Sequence, residues 1–597
     1  MIRIVKWLLF ACLLSAFSGP IARANTLNAP DCSLTSVQST INSASSGDTV
    51  IVPAGSCTWS SQVEISGKGL TLIGATVCNG TPTTQTTSCA DNTVITLTYG
   101  ADNLVVTGTS ASNFVELSGF TFIDRTPGES NGVIRFSGGM HGSVSFRIDH
   151  LHLMSNSGGV FLKLADSYGL VDHILADETG LSGMNPPFVI YGDGATRGYQ
   201  NWNDPTAFGS NQAVYFENCT YNADTNSSTS QGRTEGFFDA YAGAKIVMRY
   251  NAVNNIGNTG GHGTDSGNWR STALQEIYNN TLTNNVGHSL SPHNFRGGTE
   301  LVFNNTFTGT SPYTIMSLGY FRISQVTDVG QWGSALSGLN WVPLSSDPTN
   351  FNSTVNTLNA PNWAASNSYA TGVAVGPLGS SNPGNWNYQN RGSSCKSGAG
   401  EPSWNQTPGS TTNDGTCTWT NVGGATTPGL MTARWCAVNA DTLAASNITC
   451  SSLAAGDTAS RFFDSTNGTY PFRDQPGVGH NQASFPIYEW GNTGSQAPSE
   501  PMLTTDAPLA VQANRDYFDY TPSFNGSSGV GTGTLSARPS SCTAGVGYWA
   551  TDTNTLYQCS SSGAWTPYYT PYTYPYPTTQ TVNVPAPPTN VEATVTQ

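Results

Sequence analysis

The strongest constraint on the fold is a set of short strand-like runs that recur along the first half of the chain: "RIDHLHL", "LVDHILA", "YFENCTY", "RYNAVNN", "IYNNTLT" and "VFNNTFT". Stacked, they place His150, His173, Asn218, Asn251, Asn279 and Asn304 in one column, at intervals of 23, 45, 33, 28 and 25 residues. Such a period marks a solenoid, because one repeat cannot bury its apolar face alone whereas a stack of repeats can. The 45-residue interval calls for a long inserted loop or an extra coil, and it contains the turn-rich "YGDGATRGYQNWNDPTAFGSNQ", the composition of a loop flanking a groove. Asparagine in a stacked column is expected to bond to the residues above and below it at the roughly 4.8 Å rung spacing, which is a structural role.

Composition agrees with an extended all-β chain. There are 65 glycines among 597 residues and only 10% charged residues, which favours many turns and few long helices. The opening "MIRIVKWLLFACLLSAF" sets Arg3 and Lys6 before a short apolar run, with Ala22-Arg23-Ala24 as a small-residue cleavage site. Residues 1–24 therefore read as a signal peptide, and the mature protein, from Asn25, is expected to be secreted or displayed at the cell surface with no membrane span. Cleavage lowers the 22 basic residues to 19 against 37 acidic ones, which argues against nucleic acid and anionic membranes as partners. Nine arginines lie between residues 125 and 322, so a local anion-binding groove is compatible with the overall charge.

An oxidising compartment makes the near-neighbour cysteines candidate disulfides: Cys32 with Cys57, Cys78 with Cys89, Cys395 with Cys417, Cys436 with Cys450, and Cys542 with Cys559. Cys219 is left over in an apolar run, where a buried inert thiol is expected.

Residues 33–45, "SLTSVQSTINSAS", put Leu34, Val37, Ile41 and Ala44 on one helical face, and "GDTVIVPAGSCTW" and "VEISGKGLTLIGA" follow as short strands and turns. This order resembles the amino-terminal cap and first coils of the pectin-lyase-like right-handed parallel β-helix superfamily. The resemblance implies an all-β solenoid over residues 25–362 with an N-terminal capping helix that covers its open end. Residues 363–423, with Trp363, Tyr369, Trp386, Tyr388, Trp404 and Trp419, resemble small aromatic β-modules of secreted carbohydrate-active and phage tail proteins and read as an insertion. Their rings are expected chiefly to form a core, with glycan stacking as the other reading. Residues 424–535 would continue the β-helix or close it. Residues 536–577 form a small Cys-containing tail unit, and 578–597 a Pro-rich linker-like terminus.

Polar side chains are densest from "FFDAYAGAKIVMRYN" through "GGHGTDSGNWRSTALQEIYNN" to "SPHNFRGG", which supply Asp239, Arg249, His262, Asp265, Arg270, Glu276, His293 and Arg296. Residues 20 to 30 apart in a solenoid lie about one rung apart, so these side chains are candidates for one groove. Glycoside hydrolysis would use two of the carboxylates Asp239, Asp265 and Glu276. Eliminative cleavage of a uronate would use a base at C5 and a cation on the substrate carboxylate, from Arg249, Arg270, Arg296 or His262, with Ca²⁺ held by carboxylates as a helper. The "GHG" at 261–263 resembles the glycine-flanked histidine of polygalacturonase-type hydrolases, but that family's Asn-Thr-Asp, Asp-Asp and Arg-Ile-Lys runs are absent. "RIDH" and "VDH" resemble the Ile-Asp-His segment of pectate lyases, whose aspartate contributes to calcium binding; Asp149 and Asp172 are the matching positions. Stacked acids and arginines also form ion-pair ladders without catalysis.

Two functions from different classes follow: a secreted protein that binds and cleaves a polysaccharide or cell-surface glycan as a lyase or glycoside hydrolase, or a non-catalytic adhesive or matrix protein that uses the solenoid as a rigid spacer. Oligomeric state is not set by the sequence.

Overall fold

The computed structural model describes residues 24–577 except 125–131, 139–143, 156–159, 179–185, 193–201, 203–205, 224–235, 258, 262–270, 319–361, 372, 379–385, 408, 425–473, 480–482 and 506–510. Three long parallel sheets dominate it. Sheet I has twelve strands, from Thr26–Asn28 to Tyr517–Phe518; sheet II has nine, from Gly55–Trp59 to Thr306–Gly309; sheet III has six, from Val63–Ser66 to Phe238–Tyr241. The coils up to Phe238–Tyr241 visit the sheets in the order I, II, III, the next ones keep strands in I and II, and strands one coil apart pair in parallel register, as in Ser118↔Asp149↔Asp172↔Glu217↔Arg249. This is an all-β architecture consistent with a parallel β-helix. The 45-residue interval is one coil, with Leu175–Glu178 in sheet II, Phe188–Tyr191 in sheet III and a long connection back to Val214–Glu217 in sheet I.

Alternation along each strand explains the packing. In sheet III, Ile134, Phe136, Leu162, Leu164, Phe188 and Ile190 point inward and are at most 2% exposed, while Arg135, Lys163 and Tyr191 beside them are only partly buried. The inward side chains stack from coil to coil into one core, each contributing roughly 1.5–3 kcal/mol by leaving water. The helix Leu34–Ser43 is N-capped by Ser33 and buries Val37 and Ile41 in that core. Lys68 Nζ donates to the Ile41 and Ala44 carbonyls at its C-terminal end, both at 2.7 Å, where a cation also meets the negative end of the helix dipole.

The corner between sheets I and II corrects the column drawn from sequence. Residues with positive φ occupy it on successive coils: His150, His173, Asn218, Tyr250, Asn279 and Asn304. Tyr250, not Asn251, is the member from its coil. Asn251 stands one place further on, in a buried ladder in which its Nδ2 donates to Asn280 Oδ1, Asn280 to Asn305 and Asn305 to Asn492, at 2.9–3.0 Å. The expected rung-to-rung bonding is therefore present, in the neighbouring column.

Further along the chain, Ile487–Trp490 pairs with Leu301–Phe303 and extends sheet I, and Leu503–Thr505 joins Asn294–Phe295 and Met316–Leu318 in a separate three-stranded sheet. Residues 362–424 have a core of their own, formed by Trp363, Tyr369, Val375, Tyr388, Trp404 and Trp419.

The Cys-containing unit that begins near residue 536 packs back on the sheets. Strands Gly547–Ala550, Thr555–Cys559 and Trp565–Tyr569 bring the chain back, and Tyr569, Tyr572 and Tyr576 pack on Tyr215, Tyr278 and Phe303 of sheet I. Five tyrosines between 568 and 576 supply the apolar area that makes this return favourable.

Four of the expected disulfides are formed: Cys32–Cys57, Cys78–Cys89, Cys395–Cys417 and Cys542–Cys559. Cys436 and Cys450 lie outside the described residues. Cys219 is a buried free thiol, and burial holds it protonated. No helix among the described residues is long and apolar enough to cross a membrane.

Candidate functional site

The sequence candidates separate onto different surfaces. His262, Asp265 and Arg270 lie outside the described residues. Arg249 is on sheet I and fully buried: it pairs with Glu217 at 2.8 Å and donates to the Tyr572 and Thr573 carbonyls at 2.6 and 2.8 Å. Glu276, on the next coil of sheet I, accepts from the Gly209 amide and the Tyr569 hydroxyl, both at 2.7 Å, and burial pushes its carboxyl up to about 7. The structure thus brings Arg249 and Glu276 together beneath the returning C-terminal segment. His293 is buried against Glu300, with Nε2 at 2.7 Å from its carboxylate, and half-buried Arg296 donates its backbone N–H to Gly261.

Asp149 and Asp172 also have a structural task. The Arg147 guanidinium sits between them, at 2.8 Å from Asp149 and 2.9 Å from Asp172, with Glu116 at 3.3 Å. Arg147 supplies the positive charge that the calcium resemblance would assign to an ion. Burial, and then the Asp149 charge, push Glu116 up to about 7. Three carboxylates elsewhere, Glu489, Glu500 and Asp519, bring their ligand atoms within 4.8 Å of one another and are the described residues best placed to hold a cation.

Asp239 is on sheet III, facing out. Register places it in the column Glu64, Val105, Arg135, Lys163, Val189, Asp239; the second outward column is Ser66, Thr107, Ser137, Ala165, Tyr191, Tyr241. With rungs roughly 4.8 Å apart, Lys163 and Asp239 stand two rungs apart, with Tyr191 and Tyr241 on the intervening and last rungs of the neighbouring column.

The tyrosine rings meet edge to face at 4.5 Å, and the Lys163 ammonium lies 5.8 Å from the Tyr191 centroid. Arg135 pairs with Asp102 at 3.1 Å while keeping 42% of its side chain exposed. Tyr191 and Tyr241 share a hydroxyl–hydroxyl hydrogen bond; burial, first of all, keeps both phenols protonated through the neutral range.

The polar stretch "GGHGTDSGNWR" begins on the coil that follows Phe238–Tyr241. Thr259 and Arg296 bond across to the next coil at residues 292 and 261, and Thr272 Oγ1 donates to the Ala240 carbonyl between Asp239 and Tyr241. Long connections leave both edges of the sheet at this level, after Tyr191 and before Phe238. Chemically, the face offers the Lys163 ammonium for a substrate carboxylate, a protonated phenol, and one carboxylate two rungs from Lys163, with Arg135 already paired to Asp102.

Sequence reasoning named Asp239 as a candidate carboxylate and counted Arg135 among the nine arginines compatible with an anion-binding groove, but did not name Lys163, Tyr191 or Tyr241. A signal existed: "GVIRFSG", "VFLKLA", "FVIY" and "FDAY" share one alternation, and stacking them yields both outward columns.

No family model matches the chain, and no curated protein matches it. Among solved structures it is similar to an alginate lyase from Paenibacillus sp. str. FPU-7, at 14% identity over 48% of this chain and 97% of that one, with a TM-score of 0.28. It is also similar to ORF18 of Geobacillus virus E2, at 10% identity over 91% of this chain and 86% of that one, TM-score 0.27. A third is the catalytic domain of a GH87 α-1,3-glucanase in complex with nigerose, at 10% identity over 51% and 60%, TM-score 0.21. Two of these three are polysaccharide-degrading enzymes; at such TM-scores the likeness carries no argument about this chain's chemistry.

Proposed function

We propose that the protein is exported, binds an acidic polysaccharide along the outer face of sheet III and cleaves it there by elimination. The observation that carries this reading is the outward constellation of Arg135, Lys163, Tyr191, Asp239 and Tyr241 on adjacent columns.

Lys163 neutralises a uronate carboxylate, which makes the C5 proton easier to remove, while Arg135, paired with Asp102 one rung further along, adds to the positive field of the face. The Asp239 carboxylate takes that proton. Tyr191, held protonated, gives its own to the leaving glycosidic oxygen as the C4–O bond breaks and the C4–C5 double bond forms. Tyr241 orients the Tyr191 hydroxyl through their hydrogen bond. Hydrolysis fits less well, since it needs two carboxyl groups flanking the linkage, and the other acid of this neighbourhood, Asp102, is engaged by Arg135 and the Gly132 amide.

Export is supported by the basic-then-apolar opening of the sequence, read as a signal peptide, and by the four disulfides, which form and persist in oxidising compartments.

The test is incubation of the full chain with acidic and neutral polysaccharides, reading unsaturated ends by ultraviolet absorbance and reducing ends in parallel. Unsaturated ends from a uronate polymer, lost in Tyr191→Phe and Asp239→Asn, are expected. Reducing ends without absorbance would replace elimination by hydrolysis. Glycan binding without cleavage would favour the non-catalytic spacer, and wild-type activity in both variants would remove this face as the site.

A further inference from the structure

Residues 77–91 form an arm that folds across the corner between sheets I and II, far from the face just described. Val77–Cys78 pairs antiparallel with Cys89–Ala90, and the Cys78–Cys89 disulfide closes the loop. The arm reaches three successive coils: its Thr81 carbonyl receives His173 Nε2 at 2.6 Å, its Pro82 carbonyl receives Asn218 Nδ2 at 3.0 Å, and Gln85 Nε2 donates to the Tyr250 carbonyl at 2.9 Å. At its base, Asp91 Oδ1 accepts from Thr121 Oγ1 at 2.7 Å and meets His152 Nδ1 at 2.8 Å.

Both histidines that hold the arm have acceptors on both ring nitrogens. His152 stands between Asp91 and Asp177, 2.8 and 2.9 Å from them. His173 stands between the Asp172 carboxylate, at 2.7 Å, and the Thr81 carbonyl. A neutral imidazole donates from one nitrogen only, so either tautomer would turn a lone pair toward an acceptor that has no proton to give. Only the imidazolium satisfies both sides. The side chains are 9% and 6% exposed, so water does little to relieve the mismatch.

We propose that the arm of residues 77–91 is a proton-operated clasp, held on the body while His152 and His173 are doubly protonated and loosened as the pH rises. The charged and titratable groups facing these rings are few. Around His152 they are Asp91 and Asp177; around His173 they are Asp172, Arg147 and the stacked ring of His150, 5.0 Å away. Residues 77–90 bring no charge of their own. Desolvation opposes the charged form, but the hydrogen bonds to the acids outweigh it and hold both histidines above their ordinary value. Asn218 carries the effect further. It receives the arm's Thr86 amide on its carbonyl and the Tyr574 hydroxyl on its side chain at 2.7 Å, so the arm and the C-terminal segment meet at one residue.

Amide hydrogen exchange of the full-length protein, read by mass spectrometry on peptides covering 77–91 and corrected for intrinsic pH dependence, tests the clasp. Protection of the arm should fall roughly tenfold between about pH 6 and pH 9, the size of one lost charge-assisted hydrogen bond, while the adjacent strand Thr93–Leu97 stays protected. In His152→Gln with His173→Gln the arm should exchange fast at every pH. Unchanged arm protection across that range in the wild type, which needs no variant to fold, or a wild-type pH profile in the double variant, would overturn the proposal.

Discussion

Tyr569 donates its hydroxyl to Glu276 at 2.7 Å across 293 residues of chain. Both groups are deeply buried, and the Gly209 amide is the other donor to the same carboxyl group. Removing the hydroxyl leaves a buried carboxyl oxygen without that partner. Tyr569→Phe should therefore lower stability by about 1–3 kcal/mol, read as a lower midpoint in denaturant, and should leave polysaccharide cleavage intact because sheet III is untouched. A variant as stable as the wild type would mean that this bond does not hold the C-terminal segment down; lost cleavage at full stability would return Glu276 to the candidate site.

The same burial makes stability depend on pH with a definite sign. Burial pushes Glu116 and Glu276 up to about 7 and Glu489 up to about 8, all from an ordinary value of 4.5. Between that value and the raised ones, the folded protein keeps protons that the unfolded chain has released, so stability falls as pH rises. His152 and His173 act in the same direction: their contribution is complete below the ordinary histidine value and is lost as pH rises through the raised one. Asp172 and Asp177 are lowered, His173 and His152 respectively being their largest stabilising partners, and their contribution disappears only in strong acid. Denaturation midpoints should therefore be higher near about pH 5 than near pH 8.5; a rise across that interval would contradict the burial of these carboxyls.

How much of this was legible differs from element to element. The corner residues His150, His173, Asn218, Asn279 and Asn304 were readable because a left-handed corner narrows the choice of residue and repeats once per coil. Tyr250 breaks that pattern with a bulky side chain, so alignment on Asn251 slid by one residue. The coil that follows almost two hundred residues later was hidden by distance, although "YEWGNTG" at 488–494 repeats the corner of "VFNNTFT", with Trp490, Gly491 and Asn492 matching Phe303, Asn304 and Asn305. The candidate face was half visible. Asp239 stood out as an acid, whereas Lys163 and Tyr191 sit singly in apolar strands and gain meaning only from register between coils. Arg249 and Glu276 looked like groove residues for the same local reason. What buries them is contact with residues 569 to 573, and no local pattern encodes that.

The aromatic unit of residues 362–424 rests on one carboxylate. Asp414 Oδ2 accepts from the indole nitrogens of Trp363 at 2.7 Å and Trp419 at 2.9 Å, while its Oδ1 accepts from the Gly398 amide at 2.7 Å. Trp363 is 5% exposed and Trp419 is buried completely, so Asp414→Ala strands two buried N–H donors along with a backbone one. Each charge-assisted bond contributes roughly 1.5–3 kcal/mol, which a module of this size cannot lose and stay folded. Because residues 362–424 have their own core and their own disulfide, the loss should stay local. The full-length variant should show early proteolysis within the module and a red-shifted tryptophan emission, while the sheets of the β-helix unfold at the wild-type midpoint. A single transition displaced as a whole would show instead that the module and the solenoid fold as one unit, and an unchanged emission would show that Asp414 does not organise the aromatic core.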